Sequence, residues 1–149
     1  MTDPAVPVRG AALAPVDVRG PRFAAAVTTA VLAAVLLLGP GPAGGVLLGL
    51  QALAFVLGAL GRSPYGWVFA RLVRPRLGPT TETEDPHPPR FAQAVGLVFA
   101  LAGLAGLAAG GGVLFLAAVA MALVAACLNA AFGFCLGCEM YLVLKRAAG

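Results

Sequence analysis

Two long stretches of the chain contain no Asp, Glu, Lys or Arg, and they constrain the fold more than any other feature of the sequence. The first runs from Phe23 to Gly61 and the second from Phe91 to Cys138. About 20 apolar residues are enough for one helix to cross the hydrocarbon core of a bilayer. Each stretch is therefore long enough for two crossings. Only 11% of all residues are charged, whereas a soluble domain carries about 25%.

A turn rich in glycine and proline divides each uncharged stretch. Residues 39–45 read Gly-Pro-Gly-Pro-Ala-Gly-Gly, and residues 110–112 are three glycines. Proline lacks the N–H that a helix needs and glycine is a poor helix former, so neither segment favours a continuous helix. The sequence predicts an all-α integral membrane protein with four transmembrane helices, at residues 23–38, 45–61, 91–109 and 113–134.

The basic residues lie outside these spans, and the two hairpin turns carry no charge. Cytoplasmic loops of membrane proteins are enriched in Lys and Arg. The distribution therefore predicts a multi-pass protein of the cell (plasma) membrane with the N-terminus, the central loop and the C-terminus in the cytoplasm. Because the arginines border the membrane spans, the pI near 9.5 indicates topology, and we predict no nucleic-acid partner.

A short repeat suggests an internal duplication. Residues Pro21–Val27 reappear at Pro89–Val95 with six of seven positions identical. Each copy would open one helical hairpin, so the two hairpins would be parallel repeats. We predict a disordered Pro/Ala-rich tail at 1–16 and a membrane domain at 17–149. That domain would consist of repeat 1 at about 17–61, a central cytoplasmic loop at 62–88 and repeat 2 at about 89–141.

The repeated Arg22 and Arg90 are candidate sites for a lipid headgroup or another anion. An arginine at a helix start can extend to phosphate headgroups, and alternatively the pair could line one shared vestibule that attracts an anion. In the central loop, the aromatic and basic residues of 62–76 predict a short interfacial helix that ends at Pro75. The acidic, proline-rich residues 82–89 are predicted to lack regular structure.

All three cysteines lie on the predicted fourth helix and its continuation. On one continuous helix Cys127, Cys135 and Cys138 would share a face. A second face, suited to helix packing, would consist of Asn129, Gly133 and Gly137. Cys135 and Cys138 are one turn apart at the membrane surface and form a tentative redox pair, although small buried cysteines can also serve packing alone.

The chemistry of this pair is constrained by its surroundings. Partial burial and Glu139 would disfavour a thiolate, so a cation such as Arg22, Arg90, Lys145 or His87 would have to approach. A closed zinc site needs four ligands, whereas one chain offers only the two paired cysteines and His87. We therefore predict no metal and no cofactor.

Four segments together carry a family resemblance. They are Arg-Gly-Pro-Arg-Phe-Ala at 19–24, Ser-Pro-Tyr-Gly at 63–66, Asp-Pro-His-Pro-Pro-Arg-Phe-Ala-Gln at 85–93 and Leu-Asn-Ala-Ala-Phe-Gly-Phe-Cys-Leu-Gly-Cys-Glu at 128–139. Over roughly residues 17–145 the chain resembles the actinobacterial domain-of-unknown-function family 4395. The resemblance implies a small four-helix membrane protein with the Cys-x-x-Cys pair as a family feature. It carries over no established activity.

Three functions remain open from the sequence. The paired thiols favour thiol-redox or sulfur handling with a cytoplasmic thioredoxin-like or sulfurtransferase protein. By analogy with other small four-helix dithiol proteins, a quinone would be the electron acceptor. If the protein is an enzyme, we expect a membrane thiol–disulfide oxidoreductase. The alternatives are an oligomeric transporter or channel subunit, which requires a homo-oligomer, and a membrane anchor for a soluble partner.

Overall fold

The computed structural model describes residues 14–149. In chain order its elements are β1 (Val16–Asp17), α1 (Arg19–Leu38), α2 (Pro42–Ala59), α3 (Pro64–Val68), a π-helical turn (Phe69–Val73), α4 (Arg74–Leu77), β2 (Thr83–Glu84), α5 (His87–Ala108), α6 (Gly112–Phe132) and α7 (Leu136–Ala148).

Four of these helices confirm the predicted membrane crossings. The helices α1, α2, α5 and α6 contain 20, 18, 22 and 21 residues and are apolar enough to span a membrane. At about 1.5 Å per residue such helices reach roughly 30 Å, the thickness of a hydrocarbon core. The chain is a multi-pass membrane protein. Helices α1 and α5 each begin four residues earlier than predicted, at Arg19 and His87, because prolines fit the first helical turn.

The four long helices form a bundle. Helix α1 packs against α2 and α6, while α5 packs against α2, α6 and α7. The fully buried core side chains are Leu32, Val35, Leu48, Phe115 and Val119. Other large apolar side chains on the long helices point outward, as with Leu37 at 89% exposure. This pattern is expected of helices surrounded by lipid, because lipid, unlike water, does not favour the burial of apolar side chains.

The two ends of the bundle differ in character. At one end the hairpin turns meet, because Gly112 lies against the ring of Pro40. At the other end α1 and α5 begin, α2 and α6 end, and Arg22 and Arg90 are found. We call this second end the basic end. The parallel orientation of two repeats remains a prediction.

Residues 64–77 form the interfacial segment at the basic end. The Ser63 hydroxyl oxygen accepts a hydrogen bond from the Gly66 N–H at 3.1 Å and caps α3. Buried Phe69 lies against Phe23 of α1, with ring centroids 5.8 Å apart. The predicted end at Pro75 is wrong: α4 continues to Leu77. Pro75 occupies the first turn of α4, where no backbone N–H is required.

The strands β1 and β2 connect the N-terminal segment to the central loop. They are antiparallel, with Val16 opposite Glu84. The predicted absence of regular structure in residues 82–89 is therefore wrong in part, because a backbone partner distant in sequence orders Thr83 and Glu84 and because residues 87–89 form the first turn of α5. Val16, the last residue of the predicted disordered tail, also belongs to this pairing. Residues 1–13 of that tail lie outside the described part of the chain.

Arg19 reinforces this connection. Its guanidinium donates to the Asp17 carboxylate at 2.8 Å and to the Gly78 carbonyl oxygen at 3.0 Å. The hydrogen bond from the Arg19 side chain holds the pKa of Asp17 below its ordinary value, against the opposing effect of desolvation.

One polar network crosses the first hairpin and the interfacial segment. The Tyr65 hydroxyl donates to the Gln51 side-chain oxygen at 2.6 Å, and the Gln51 amide donates to the Thr28 hydroxyl at 3.4 Å. Gln51 and Thr28 are only 1% and 4% exposed. Buried polar groups of this kind need partners, so the network fixes α1, α2 and α3 relative to one another.

We expect Tyr65→Phe to lower the free energy of unfolding by about 1 kcal/mol, because the Gln51 oxygen loses its donor in a buried site. Denaturant unfolding in mixed micelles, followed by circular dichroism, would measure the change. The matched control is Tyr141→Phe, which retains the ring that stacks on Phe91. The control should unfold as wild type does, and a Tyr65→Phe variant as stable as wild type would show that the Tyr65 hydroxyl contributes nothing.

Candidate dithiol site at the basic end

The fourth membrane helix ends before the Cys-x-x-Cys pair. Helix α6 ends at Phe132, and Gly133 adopts the left-handed conformation with φ of 68°. The Gly133 and Phe134 N–H groups bond back to the Asn129 and Leu128 carbonyl oxygens at 3.0 and 3.3 Å. Glycine adopts this conformation without steric cost, and it commonly ends helices in this way. Three residues after Gly133, at Leu136, the chain starts a separate helix, α7.

This break corrects the prediction of one continuous helix through the three cysteines. Cys127 is an exposed, free thiol on α6, while Cys135 and Cys138 lie beyond the turn. The predicted shared face of three thiols is therefore wrong, and Gly133 and Gly137 do not form a stripe on one helix. The physical reason is the left-handed glycine, which changes the chain direction between the two groups.

Cys135 is the N-cap residue of α7. Its backbone is extended, and its Sγ accepts a hydrogen bond from the Cys138 N–H at 3.2 Å. The Cys135 and Cys138 sulfurs are joined in a disulfide, with Cα atoms 5.1 Å apart. Both residues are half-buried. The pair thus lies at the positively polarised end of a 13-residue helix, which favours a thiolate on Cys135, while Glu139 in the first turn of the same helix opposes this effect.

Close packing against α5 positions α7. Gly137 is buried, and a Cβ placed on it would lie 2.6 Å from the Ala92 Cα. Tyr141, one turn further along α7, stacks on Phe91 with ring centroids 5.8 Å apart. Of the three predicted packing residues, Gly137 therefore contacts α5, Gly133 ends α6, and Asn129 lines the cleft beside the disulfide.

The two repeated arginines each contact the end of a helix in the other hairpin. The Arg22 Nη2 donates to the Ala130 carbonyl oxygen of α6 at 3.3 Å, and the Arg90 Nε donates to the Ala59 carbonyl oxygen of α2 at 3.1 Å. A positive charge at a helix C-terminus is stabilising. Arg22 lines one cleft and Arg90 lines a second cleft that shares lining residues with it, and the shared vestibule remains a prediction. Their predicted role in binding headgroups or other anions remains a prediction.

The first hairpin ends in the same way as the second. Gly61 has φ of 81° after α2, and Ser63 caps α3 two residues later. Gly133 has φ of 68° after α6, and Cys135 caps α7 two residues later. The sequence contains the signal for this correspondence, a glycine followed two residues on by a residue whose side chain can accept a backbone hydrogen bond.

A cleft of about 530 Å³ begins at the disulfide and extends between the helices. Arg22 and Asn129 line it near the cysteines, and it continues past Thr28 to the apolar side chains Phe55, Phe99 and Met121. Sequence reasoning identified none of Thr28, Phe55, Phe99 and Met121, because only the packing of four helices brings them together.

Acidic side chains line the outer part of this cleft. Glu84, Asp85 and Glu139 are among its lining residues. Burial raises the pKa of Glu84 above its ordinary value. The backbone hydrogen bond from His87, followed by that from its side chain, lowers the pKa of Asp85. The His87 Nδ1 lies 2.6 Å from the Asp85 Oδ1. Within residues 14–149 no group of three or more His, Cys, Asp or Glu side chains could hold a metal ion.

Comparison with known protein families gives one match. The family described as Domain of unknown function (DUF4395) matches residues 16–146. The chain belongs to this family. Its DUF4395 region includes both strands, all four membrane helices and the Cys-x-x-Cys pair, which confirms the family predicted from the motifs. No curated protein and no solved structure matches the chain. The description of DUF4395 names no activity.

Proposed function

We propose that this DUF4395 protein carries out thiol–disulfide exchange at the membrane surface through Cys135 and Cys138. The observation that carries the proposal is the position of Cys135 as the N-cap of α7, with its sulfur 3.2 Å from the Cys138 N–H. A helix N-terminus favours the thiolate, which is the form of cysteine that attacks a disulfide. Cys138, one turn further on, is placed to complete the exchange.

The exchange proceeds in two balanced steps. The Cys135 thiolate attacks a disulfide of the partner, an S–S bond forms between the two proteins, and one partner sulfur leaves as a thiolate. The Cys138 thiolate then attacks Cys135, the intramolecular disulfide forms, and the second partner sulfur leaves. Two electrons pass from this protein to the partner. The reverse sequence passes two electrons from a partner dithiol to the Cys135–Cys138 disulfide through the same mixed disulfide.

The partner class follows from the location of the pair. The disulfide lies at the basic end, where Arg22, Arg62, Arg90 and Lys145 are also found. By the preference of Lys and Arg for the cytoplasmic side, we place this end and both termini in the cytoplasm and the protein in the plasma membrane. A permanent disulfide is rare in that compartment, which supports a cycling pair. The partner is then a cytoplasmic thioredoxin-like or sulfurtransferase protein.

The redox state of the pair tests the proposal. In membranes prepared with rapid alkylation, we expect two forms of the protein that differ by two alkylated cysteines. Addition of a dithiol reductant should raise the fraction of the form in which both cysteines are alkylated. Mass spectrometry would locate the modifications at Cys135 and Cys138. The variant Cys127→Ser serves as the control, because this exposed cysteine lies on α6 outside the pair, and it should show the same two forms. A single form under all conditions would contradict cycling.

Topology is tested independently of the thiols. Reporter fusions after Arg76 and after Gly149 should give the cytoplasmic signal, whereas a fusion at Gly41 should give the opposite signal. Equal signals at Gly41 and Arg76 would contradict the orientation, because these residues lie at opposite ends of the bundle.

A further inference from the structure

The cleft beside the disulfide combines a redox centre, hydrogen-bond donors and an apolar interior. At its basic end it is lined by Cys135 and Cys138, together with Arg22 and Asn129. The Arg22 side chain uses one N–H for the Ala130 carbonyl oxygen, which leaves further guanidinium N–H groups to donate. The Asn129 amide also carries two N–H donors. Donors of this kind suit a ligand with carbonyl oxygens near the sulfurs.

The remainder of the cleft lies between membrane helices. Asn129 and Met121 are eight residues apart on α6, a distance of about 12 Å along the helix axis. Phe55, Phe99 and Met121 give this part an apolar lining. Met121 is 59% exposed on the surface of the bundle, so a ligand can enter from the surrounding lipid. A water-soluble oxidant would gain nothing from contact with this apolar part of the cleft.

We propose that this cleft binds a membrane quinone, and that the quinone oxidises the reduced Cys135–Cys138 pair. The inference rests on the proposed function, since it supplies the electron acceptor for the same cysteines. A quinone matches the cleft because its ring has carbonyl oxygens for the donors and its isoprenoid tail is apolar. The volume of about 530 Å³ falls within the range of ligand sites, roughly 300–1,000 Å³.

The reaction is balanced within these two components. The two thiols lose two protons and two electrons, their S–H bonds break and the S–S bond forms. The two quinone carbonyl oxygens take up these protons and electrons, and a hydroquinone results. A cytoplasmic dithiol partner then reduces the disulfide again. Electrons thus pass from the partner through Cys135 and Cys138 to the membrane pool.

A single-turnover experiment tests the inference. The full chain is purified in micelles, reduced with dithiothreitol, freed of reductant and mixed with decyl-ubiquinone, whose reduction is followed by ultraviolet absorbance. We expect one hydroquinone for each disulfide formed, and none with the Cys135→Ser/Cys138→Ser variant.

The steric variant is Ala125→Phe, because Ala125 lines the cleft without belonging to the cysteine pair. We expect it to slow quinone reduction about a hundredfold, since displacement of a reactant by about 1 Å has this effect.

The matched control is Val124→Phe on the same helix, where the side chain is 58% exposed and outside the cleft. It should retain the wild-type rate, and both variants should still exchange with dithiothreitol. Equal slowing by Val124→Phe and Ala125→Phe would overturn the assignment to this cleft. Wild-type protein that exchanges with dithiothreitol yet yields no hydroquinone would overturn the quinone and leave the proposed function intact. Absence of both reactions would overturn both.

Discussion

Cys138→Ser should accumulate a covalent complex with the partner, whereas Cys135→Ser should form none. With the partner supplied in its oxidised form, Cys135 of the first variant retains its position at the N-terminus of α7 and attacks the partner disulfide, but no second thiol resolves the mixed disulfide. In the second variant the attacking thiolate is missing, so we expect exchange to fall to the level of the double serine variant. Non-reducing electrophoresis and mass spectrometry of the complex would measure both outcomes.

Comparison with the first hairpin indicates that Cys135→Ser should remove the thiol without disturbing the fold. Ser63 caps α3 by accepting the N–H of the residue three positions later at 3.1 Å, as the Cys135 sulfur does for Cys138 at 3.2 Å. A serine hydroxyl at position 135 can therefore retain the cap, and the fold should survive while the chemistry is lost. Thermal unfolding close to that of wild type would establish this. If Cys135→Ser captured the partner and Cys138→Ser did not, the assigned roles of the two cysteines would be reversed.

Gly137→Ala should separate α7 from α5 and lower both stability and exchange. The new Cβ would lie 2.6 Å from the Cα and the Cβ of Ala92, and neither atom can move without the backbone of α5. Overpacking of this kind costs about 1–3 kcal/mol in unfolding free energy. Because α7 carries the disulfide at its first turn, we also expect slower exchange with dithiothreitol. Unfolding in mixed micelles and stopped-flow exchange kinetics would measure the two effects.

Gly49→Ala is the matched control for this substitution. Gly49 also lies within a helix, α2, but no atom lies within 4 Å of the position that its Cβ would take. Alanine is more favourable than glycine in a helix by roughly 0.5–1 kcal/mol, so this variant should be unchanged or slightly more stable. The two variants should thus differ in sign. Destabilisation of equal size in both would show that the contact between α7 and α5 contributes little.

Much of the candidate site could be predicted residue by residue. The Cys135–Cys138 pair was identified from its spacing, and Arg22 and Arg90 from the repeated heptapeptide. What could not be predicted is how these residues are arranged. A glycine in an apolar segment is compatible with a packed membrane helix and with a helix end. The sequence pattern around Gly133 therefore favoured a continuous helix, whereas the structure has a left-handed turn there.

The same limit applies to the arginines and to the cleft. The hydrogen bonds of Arg22 and Arg90 reach residues 108 and 31 positions away. Such contacts depend on which helices become neighbours, and hydrophobic periodicity along one helix does not specify its neighbours. For this reason the lining residues Phe55, Phe99 and Met121 could not be predicted.

The sequence by itself determined the four membrane helices, because insertion depends on local hydrophobicity and each helix satisfies its own backbone hydrogen bonds within the bilayer. It also determined which end of the bundle carries the basic residues, since residues 23–61 and 91–138, which include both hairpin turns, contain no charged side chain. Only the tertiary structure decided that Cys135 caps a separate helix, that Gly137 lies on Ala92 and that a cleft leads from the disulfide into the bundle. These features are set by contacts between helices, which form only after each helix has been specified.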